Sequence, residues 1–286
     1  MKRLNLPGWD DLALLDQVSK AEALASYPEL LNRIASVRLQ YAAYKTARGN
    51  PWLVNPLGVV EPLRSALILH YERPPNALMC IGELRNMGVD LVCAICGAEN
   101  PTTLDHLLPK GEYPEFAFFS LNLVPACTCN MQRRDLFKGH ASDHRLLHPY
   151  FDDCLLQRIA IASIDAPFES PRISVVPQAA PPLPIDAIHF HVQTIVACTN
   201  ITRYLEKMWA QLCRRPEALL RLPVGELTAA DVQLAVVEAG NDFEQFYGTP
   251  NNWKSILFAG LAVNQGVIDW LCVRINRIRL GLITPD

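Results

Sequence analysis

Two close pairs of cysteines constrain the fold of this chain more than any other feature of its sequence. Cys93 and Cys96 enclose two residues in the stretch CAICG, and Cys127 and Cys129 enclose one residue in the stretch CTC. In a reducing compartment, pairs this close indicate metal binding rather than disulfides. Four thiolates suit a closed tetrahedral site, which can hold together short strands that have little core of their own. The sequence therefore predicts a structural Zn²⁺ centre.

The composition is that of a globular protein without a strong overall charge. The chain has 286 residues, is 50% hydrophobic and carries a formal net charge of −3. This length suits one large domain or two ordinary ones. Because the net charge does not attract nucleic acid over a distance, any such binding must come from local basic clusters. The five other cysteines lie in apolar surroundings and are expected in the core: Cys80, Cys154, Cys198, Cys213 and Cys272.

Neither a signal peptide nor a membrane span is predicted. The opening stretch MKRLNLPGWDDLALLDQ meets a proline and two aspartates before any apolar run can form. The most apolar helical stretch, SILFAGLAVNQGVIDWLCV, is interrupted by Asn264, Gln265 and Asp269, which would be costly inside a bilayer. We therefore expect a cytoplasmic protein without a membrane partner, in which this stretch is a buried helix.

The spacing of apolar residues predicts helices before the cysteine region and short strands and turns within it. Apolar residues recur at intervals of three and four over 10–49 and over 62–87, which predicts two helices in each stretch. Between Cys93 and Asp152 the pattern changes to short strands and turns. Here TTLDHLL and LNLVPA are predicted strands, and CNMQRRDLFKG is a predicted helix closed by Gly139.

The rest of the chain predicts a small sheet followed by helices. RIAIASI and RISVV alternate like paired antiparallel strands, and a proline-rich connection follows them. Three helices are then predicted, over 194–214, 228–247 and 253–278. The chain is thus expected to form four regions: a helical region over 1–90, a compact module over 91–152, a β and proline-rich connection over 153–192, and a helical region over 193–286.

A titratable pair, Asp105 and His106, lies between the two cysteine pairs in the apolar stretch TLDHLLPK. Neighbouring residues of a strand point to opposite faces, so both side chains can be buried only if one face forms a site. Asn122 follows on the next predicted strand, and Asn130 comes directly after Cys129. A lone histidine on an apolar strand is usually a core residue, but the alternation of faces means that either Asp105 or His106 must have a functional explanation.

The residues between 93 and 135 resemble the HNH endonuclease family. The stretches that carry the resemblance are CAICG, LDHLLPKGEYPEF, NLVPAC and CNMQRRD, and LHPYFD at 147–152 is similar to HNH proteins with a zinc knuckle. The core of that family is a ββα-metal (His-Me finger) module around one divalent cation. The resemblance implies a mainly α protein with a small central ββα-metal module and a minor antiparallel β appendage.

The resemblance also implies roles for the four polar residues. Asp105 matches a ligand of the catalytic cation, His106 the general base, Asn122 the asparagine that orients the base, and Asn130 the second protein ligand. A carboxylate and an amide oxygen suit Mg²⁺ or Mn²⁺, and a neutral imidazole can take a proton from water near pH 7. The implied activity is hydrolysis of phosphodiester bonds.

The second cysteine pair departs from the family pattern, in which it is usually spaced like the first. One outcome is that Cys127 and Cys129 still share the Zn²⁺ through a strained turn. The other is that Cys127 is lost as a ligand and that His140 or another residue replaces it. We expect zinc to be retained by all four cysteines, because thiolates two residues apart can still bind one ion.

Basic residues near the polar site are candidates for nucleic-acid contacts. They are Lys110, Arg133, Arg134 and Lys138. A solvated helix face is the competing interpretation, but proximity to the site favours contact with phosphates. His140, His144 and His148 recur every four residues, yet Pro149 makes a short turn as plausible as a second metal site, so none is assigned as a ligand.

The expected substrate is DNA, and the expected setting is bacterial anti-phage defence. HNH proteins of such systems contain stretches similar to LDHLLPK, YPEF, NLVP and HPYFD. Some of these proteins act with an ABC-type ATPase partner. Two alternatives remain open at this point. The same module could cleave RNA, for example tRNA, or the chain could be a catalytically inactive zinc-ribbon protein that binds nucleic acid or acts as a scaffold.

Overall fold

A computed structural model describes residues 1–86 and 92–284 of the chain, which divides into two compact units. The N-terminal unit comprises Arg3–Ile95 and Asn100–Asp152. The C-terminal unit comprises Met1–Lys2, Cys96–Glu99 and Asp153–Asp286. The chain is about half helical and has two small antiparallel sheets, which agrees with the predicted mainly α class with minor β structure.

The described residues before the cysteine region form four α-helices in the N-terminal unit. They are α1 (Asp11–Lys20), α2 (Glu29–Thr46), α3 (Leu63–Glu72) and α4 (Cys80–Asn86). The two helices predicted in each of the stretches 10–49 and 62–87 are thereby confirmed. The first begins where the side chain of Asp10 accepts hydrogen bonds from the backbone amides of Leu12 and Ala13, each at 3.1 Å, which satisfies two of its otherwise unpaired donors.

A two-stranded antiparallel ribbon and a short helix follow. Strand β1 (Thr103–His106) pairs with β2 (Leu123–Ala126), so that Thr103 lies opposite Ala126 and His106 opposite Leu123. Helix α5 (Cys129–Arg133) comes directly after β2. Both predicted strands are confirmed, although each is shorter than the stretch that predicted it.

The predicted helix from Cys129 to Gly139 was wrong in its length. It ends at Arg133 because Arg134 adopts a positive φ of 52°, which does not continue an α-helix. Beyond it, Lys138 forms an antiparallel bridge with Arg145, and the amide of Gly139 donates to the carbonyl of His144 at 2.8 Å. The residues after Arg133 therefore leave the helix, and Lys138 and Gly139 pair with the segment that contains His144 and Arg145.

An aromatic cluster anchors the long loop between β1 and β2 in the core of the N-terminal unit. Tyr41 and Tyr44, one turn apart on α2, pack on Phe116 and Phe119 of the loop. The rings of Tyr41 and Phe119 stack at 4.0 Å, and those of Tyr44 and Phe116 meet edge to face at 4.9 Å. Each of these side chains is at most 1% exposed. The loop is thus held as firmly as the strands that it connects.

The predicted strand pair of the C-terminal unit is confirmed. Strand β3 (Ala160–Asp165) and strand β4 (Arg172–Pro177) are antiparallel, with Ala160 opposite Pro177. Gly260 of the helix packed on this sheet comes so close that an added Cβ would lie 2.1 Å from the carbonyl oxygen of Ala162. Only a glycine allows this approach of helix to strand.

Five helices complete the C-terminal unit. They are α6 (Ile185–His191), α7 (Ile201–Arg214), α8 (Ala229–Tyr247), α9 (Trp253–Ala262) and α10 (Gln265–Arg279). The helix predicted over 228–247 is confirmed, and it begins with a capping box in which Thr228 and Asp231 bond each other's backbone amides. The helix predicted over 194–214 begins later, at Ile201, because a π-helical turn occupies Val192–Val196.

The single helix predicted over 253–278 was wrong, because the chain bends by 93° between α9 and α10. Asn264 causes the break: its Oδ1 accepts from the amide of Val267 at 3.2 Å, and its Nδ2 donates to the carbonyl of Ile164 at 3.0 Å. No helix among the described residues is by itself long and apolar enough to cross a membrane; only α9 and α10 taken together reach that limit. Cys198, expected in the core, is exposed.

Candidate metal centre and adjoining cleft

The four paired cysteines lie together. The sulfur atoms of Cys93, Cys96, Cys127 and Cys129 are all within 4.8 Å of one another, and Cys93 Sγ lies 3.6 Å from Cys129 Sγ. In a tetrahedral site with Zn–S bonds of about 2.3 Å, neighbouring sulfurs are about 3.8 Å apart. The four thiolates could therefore hold a metal ion such as Zn²⁺.

The short second pair reaches the site because a strand ends and a helix begins within it. Cys127 follows the last residue of β2, and Cys129 is the first residue of α5. The backbone amide of Cys127 donates to Cys93 Sγ at 3.4 Å, and that of Cys129 donates to Cys127 Sγ at 3.4 Å. His140, the alternative ligand, is exposed and lies outside the four-cysteine group found among the described residues.

A cleft of about 510 Å³ opens in the N-terminal unit beside the ribbon and α5. Its lining includes Asp105, His106 and Asn130, three of the four polar residues that the sequence analysis selected. Asp105 and His106 come from β1 and Asn130 from α5, so the ribbon and the helix bring them to one surface. Asn122 is fully buried and lies behind the cleft.

His106 presents a neutral imidazole with a fixed orientation. Its Nε2 lies 2.8 Å from the carbonyl oxygen of Ala117. A carbonyl only accepts hydrogen bonds, so Nε2 must carry the proton and Nδ1 must keep a lone pair. Burial lowers the pKa of His106 to about 3, which keeps the ring neutral at pH 7 but makes it a weaker base than the solvated imidazole that the sequence analysis assumed. The ring of Tyr71 packs edge to face against it, with 4.3 Å between the centroids.

Asn122 holds the loop that follows β1. Its Nδ2 donates to the carbonyls of Leu108 at 3.0 Å and Phe116 at 3.3 Å, and its Oδ1 accepts from the amide of Leu108 at 2.8 Å. These bonds tie Asn122, at the end of the loop, to Leu108 at its start and to Phe116, the neighbour of Ala117, whose carbonyl accepts from His106 Nε2. Asn122 therefore acts on the imidazole through the backbone rather than by contact.

A buried hydrogen-bond network that the sequence analysis missed supports Asn122. The hydroxyl of Tyr44 lies 3.1 Å from Asn122 Oδ1 and 3.0 Å from His148 Nε2. The amide of Tyr150 donates to His148 Nδ1 at 3.2 Å, so the proton of this ring is on Nε2 and is donated to Tyr44. Burial lowers the pKa of His148 to about 3. The stretch LHPYFD was noticed in the sequence, but its partner on α2 was not.

Arg133 forms a buried ion pair with Asp105. Its Nε lies 2.9 Å from Asp105 Oδ2 and its Nη2 lies 2.7 Å from Asp105 Oδ1. Burial raises the pKa of the Asp105 carboxyl above its ordinary value, and the guanidinium of Arg133 opposes that rise. Arg133 thus turns inwards onto Asp105, whereas the sequence analysis assigned it to phosphate contacts.

The donors for a hard cation at this surface are Asp105 and Asn130. The Oδ1 atom of Asn130 is buried and has no hydrogen-bond partner among the described residues, whereas its Nδ2 donates to Thr103 Oγ1 at 3.2 Å. A carboxylate and an unpartnered buried amide oxygen from residues that line the same cleft have the chemistry that Mg²⁺ and Mn²⁺ select. These residues fit such a cation, although Arg133 already bonds both oxygens of the carboxylate.

The other predicted nucleic-acid residues lie in different places. Lys110 and Arg134 line the cleft. Lys110 forms an ion pair of 2.7 Å with Glu72, whereas Arg134 is exposed. Lys138 lies over the ring of Trp52, 5.0 Å from its centroid, and is not among the residues that line the cleft. Besides the inward-turned Arg133, the structure therefore brings Lys110 and Arg134 to the site and leaves Lys138 away from it.

Comparisons with known proteins give one partial match. No family model matches the chain, and no solved structure matches it. Protein ea31 of Escherichia phage lambda is 40% identical to it over 62 residues, which are 21% of this chain and 21% of that protein. The chain thus matches about a fifth of the length of this relative, and its name states no activity.

Proposed function

We propose that this chain is a metal-dependent HNH-type endonuclease that hydrolyses phosphodiester bonds in DNA. The observation that supports this most is the state of His106 in the cleft. Its Nε2–H donates a hydrogen bond to the carbonyl of Ala117, which leaves Nδ1 as the atom that can accept a proton. A neutral, oriented imidazole beside a carboxylate and an unpartnered amide oxygen suits hydrolysis of a phosphate ester.

In the proposed reaction, His106 Nδ1 takes a proton from a water molecule as the water oxygen attacks phosphorus. A bond forms between that oxygen and phosphorus, and the bond to the 3′ oxygen breaks, which yields a 5′ phosphate and, after protonation by solvent, a 3′ hydroxyl. A divalent cation bound by Asp105 and Asn130 would stabilise the negative charge that develops on the phosphate and the leaving oxygen. Asn122 keeps Ala117 in position for His106.

The cysteine centre has a structural role in this proposal. With Zn²⁺ bound, it would fix the start of α5 and therefore Asn130, the residue next to Cys129. A closed site with four thiolates leaves no open position for substrate, so its role is to hold the module together. The catalytic and structural metal ions would then have separate ligands.

The substrate and the partner are proposed from charge and from the family resemblance. Lys110 and Arg134 would contact phosphates near the reacting group. A net charge of −3 favours a nuclease brought to DNA by a partner over one that coats DNA by charge. An ABC-type ATPase in an anti-phage system is the partner that the family resemblance suggests, and RNA is the alternative substrate.

One observation favours a second candidate function. Because Arg133 bonds both carboxylate oxygens of Asp105, the chain could instead be a zinc-ribbon protein that binds nucleic acid without cutting it. Such a protein would bind DNA or RNA in the same cleft, and divalent cations would not alter its effect on the nucleic acid.

Cleavage assays distinguish these functions. Purified chain is incubated with plasmid DNA or total RNA, with Mg²⁺, with Mn²⁺ or with a chelator. We expect metal-dependent cleavage of DNA, and a loss of about a hundred- to ten-thousand-fold for His106→Ala, since that is the range of general-base catalysis. His140→Ala, a change at an exposed histidine outside the cleft, is the matched control. Equal cleavage by wild type and His106→Ala would refute the mechanism, and cleavage of RNA alone would correct the substrate.

A further inference from the structure

Arg133 is built into the site rather than resting on its surface. In addition to its two bonds to Asp105, its Nη2 donates to the carbonyl of His106 at 2.8 Å and its Nη1 to the carbonyl of Leu136 at 2.8 Å. The side chains of Arg133 and Asp105 are 3% and 8% exposed. Removing Arg133 from this position would leave the Asp105 charge buried and unpaired, which is strongly unfavourable.

This arrangement changes the charge that a divalent cation would meet. The charges of Asp105 and Arg133 cancel, and the second donor, Asn130, is neutral. A cation bound by these two residues would therefore gain no net attraction from them, and it would lie near a guanidinium in surroundings that screen charge poorly. Asp135 also lines the cleft, but so do Lys110 and Arg134, so the charged side chains of the lining carry a net positive charge and such a site binds a divalent cation weakly.

A phosphate group would supply the missing negative charge. Lys110 and Arg134 line the same cleft and attract anions to it. Arg134 is exposed, and although its backbone amide donates to the carbonyl of Asn130, its guanidinium has no hydrogen-bond partner among the described residues. A phosphate would therefore not have to displace an internal contact of that guanidinium. The cleft is therefore suited to a phosphodiester and a cation together more than to a cation alone.

We propose that Arg133 is a positioning residue that makes the binding of a divalent cation at Asp105 and Asn130 depend on the phosphodiester. The cation enters with the nucleic acid and not before it. This inference rests on the proposed function for the identity of the ligands, but it concerns binding and can be measured without cleavage.

The test measures Mn²⁺ binding to the full, zinc-loaded chain by isothermal titration and by electron paramagnetic resonance. A His106→Ala background prevents cleavage, and each titration is run with and without a short DNA duplex. We expect Mn²⁺ to bind at least tenfold more tightly when the duplex is present. With Arg133→Gln added, we expect tight binding of Mn²⁺ without DNA and a much smaller gain from the duplex. Arg134→Gln, which leaves Arg133 in place, is the control and should keep the weak binding seen without DNA.

Two results would overturn the inference: equal Mn²⁺ affinity with and without the duplex, or equal affinity of the Arg133→Gln chain and its parent without DNA. If Arg133→Gln does not fold, as circular dichroism would reveal, the comparison with and without duplex decides alone. The proposed function fails in a different way. If Mn²⁺ and DNA bind together as expected but wild type leaves plasmid intact under all conditions, the coupling stands and the nuclease assignment does not.

Discussion

The hydroxyl of Tyr44 joins His148 to Asn122, with 3.0 Å to His148 Nε2 and 3.1 Å to Asn122 Oδ1. Tyr44 lies on α2, His148 on the segment after α5 and Asn122 directly before β2, and all three side chains are buried. Through Asn122 the network reaches the loop whose carbonyl at Ala117 bonds His106. Residues far from the cleft therefore set the orientation of the proposed base.

Tyr44→Phe tests this network with a change that keeps the ring. The variant removes the hydroxyl that lies 3.0 Å from His148 Nε2 and 3.1 Å from Asn122 Oδ1, so we expect the free energy of unfolding to fall by about 1–3 kcal/mol. Chemical denaturation measures the change. Tyr27→Phe is the control, because the hydroxyl of Tyr27 has no hydrogen bond among the described residues, and its effect should stay within about 0.5 kcal/mol. Equal effects of the two variants would contradict the network.

Removal of single cysteines tests the metal centre. We expect native mass spectrometry to find one Zn²⁺ in the purified chain and to find it lost in Cys127→Ser, because all four thiolates lie within 4.8 Å of one another. The chain should lose stability with the ion. Cys198→Ser, at an exposed position, should keep Zn²⁺ and stability. Retention of Zn²⁺ in Cys127→Ser would show that the short second pair supplies only one ligand.

Acid should destabilise the fold through His148. Burial lowers the pKa of this residue to about 3, whereas the unfolded chain has the ordinary value of about 6.5. Between these values the unfolded state binds a proton that the folded state does not, so stability falls as the pH falls from about 6.5 towards 3, by up to about 1.4 kcal/mol per pH unit from this group. Urea denaturation at a series of pH values measures the slope. His148→Gln should reduce it, and an unchanged slope would contradict the assignment.

Gly260→Ala tests the close contact between α9 and β3. The added methyl would lie 2.1 Å from the backbone oxygen of Ala162, so helix and strand must separate, and we expect a loss of about 1–3 kcal/mol. Gly8→Ala is the matched control, because its methyl would meet nothing within 4 Å. Thermal denaturation compares the two. A Gly260→Ala chain as stable as Gly8→Ala would mean that helix and strand can separate here at little cost.

The local elements of the fold could be predicted from the sequence because their causes are local. Asp10 and Thr228 cap helices, and period-two alternation marks the strand pair of the C-terminal unit. The break at Asn264 was missed, although asparagine is a common cap, because the residues on both sides continue the apolar pattern of a helix. The early end of α5 depends on a pairing with residues after Gly139, which the helical pattern does not encode.

The candidate site, like the fold, could be predicted from the sequence only in part. The sequence brought out Asp105, His106 and Asn130, and the structure places all three at one cleft. The inward turn of Arg133 could not be read from the sequence, because an arginine on a short helix after a metal site fits a phosphate contact equally well. The bond from Tyr44 to His148 joins residues more than a hundred positions apart, and such long-range contacts are set by the packing of the whole unit.

In the loop between β1 and β2, the rings of Phe116 and Phe119 pack in the core, and the carbonyl of Ala117 bonds His106 of the cleft. A genetic screen for loss of activity should therefore recover substitutions of Tyr41 and Phe119 as readily as substitutions in the cleft, although neither ring lines it. In this protein a phenotype at a buried aromatic position would report on the geometry of His106.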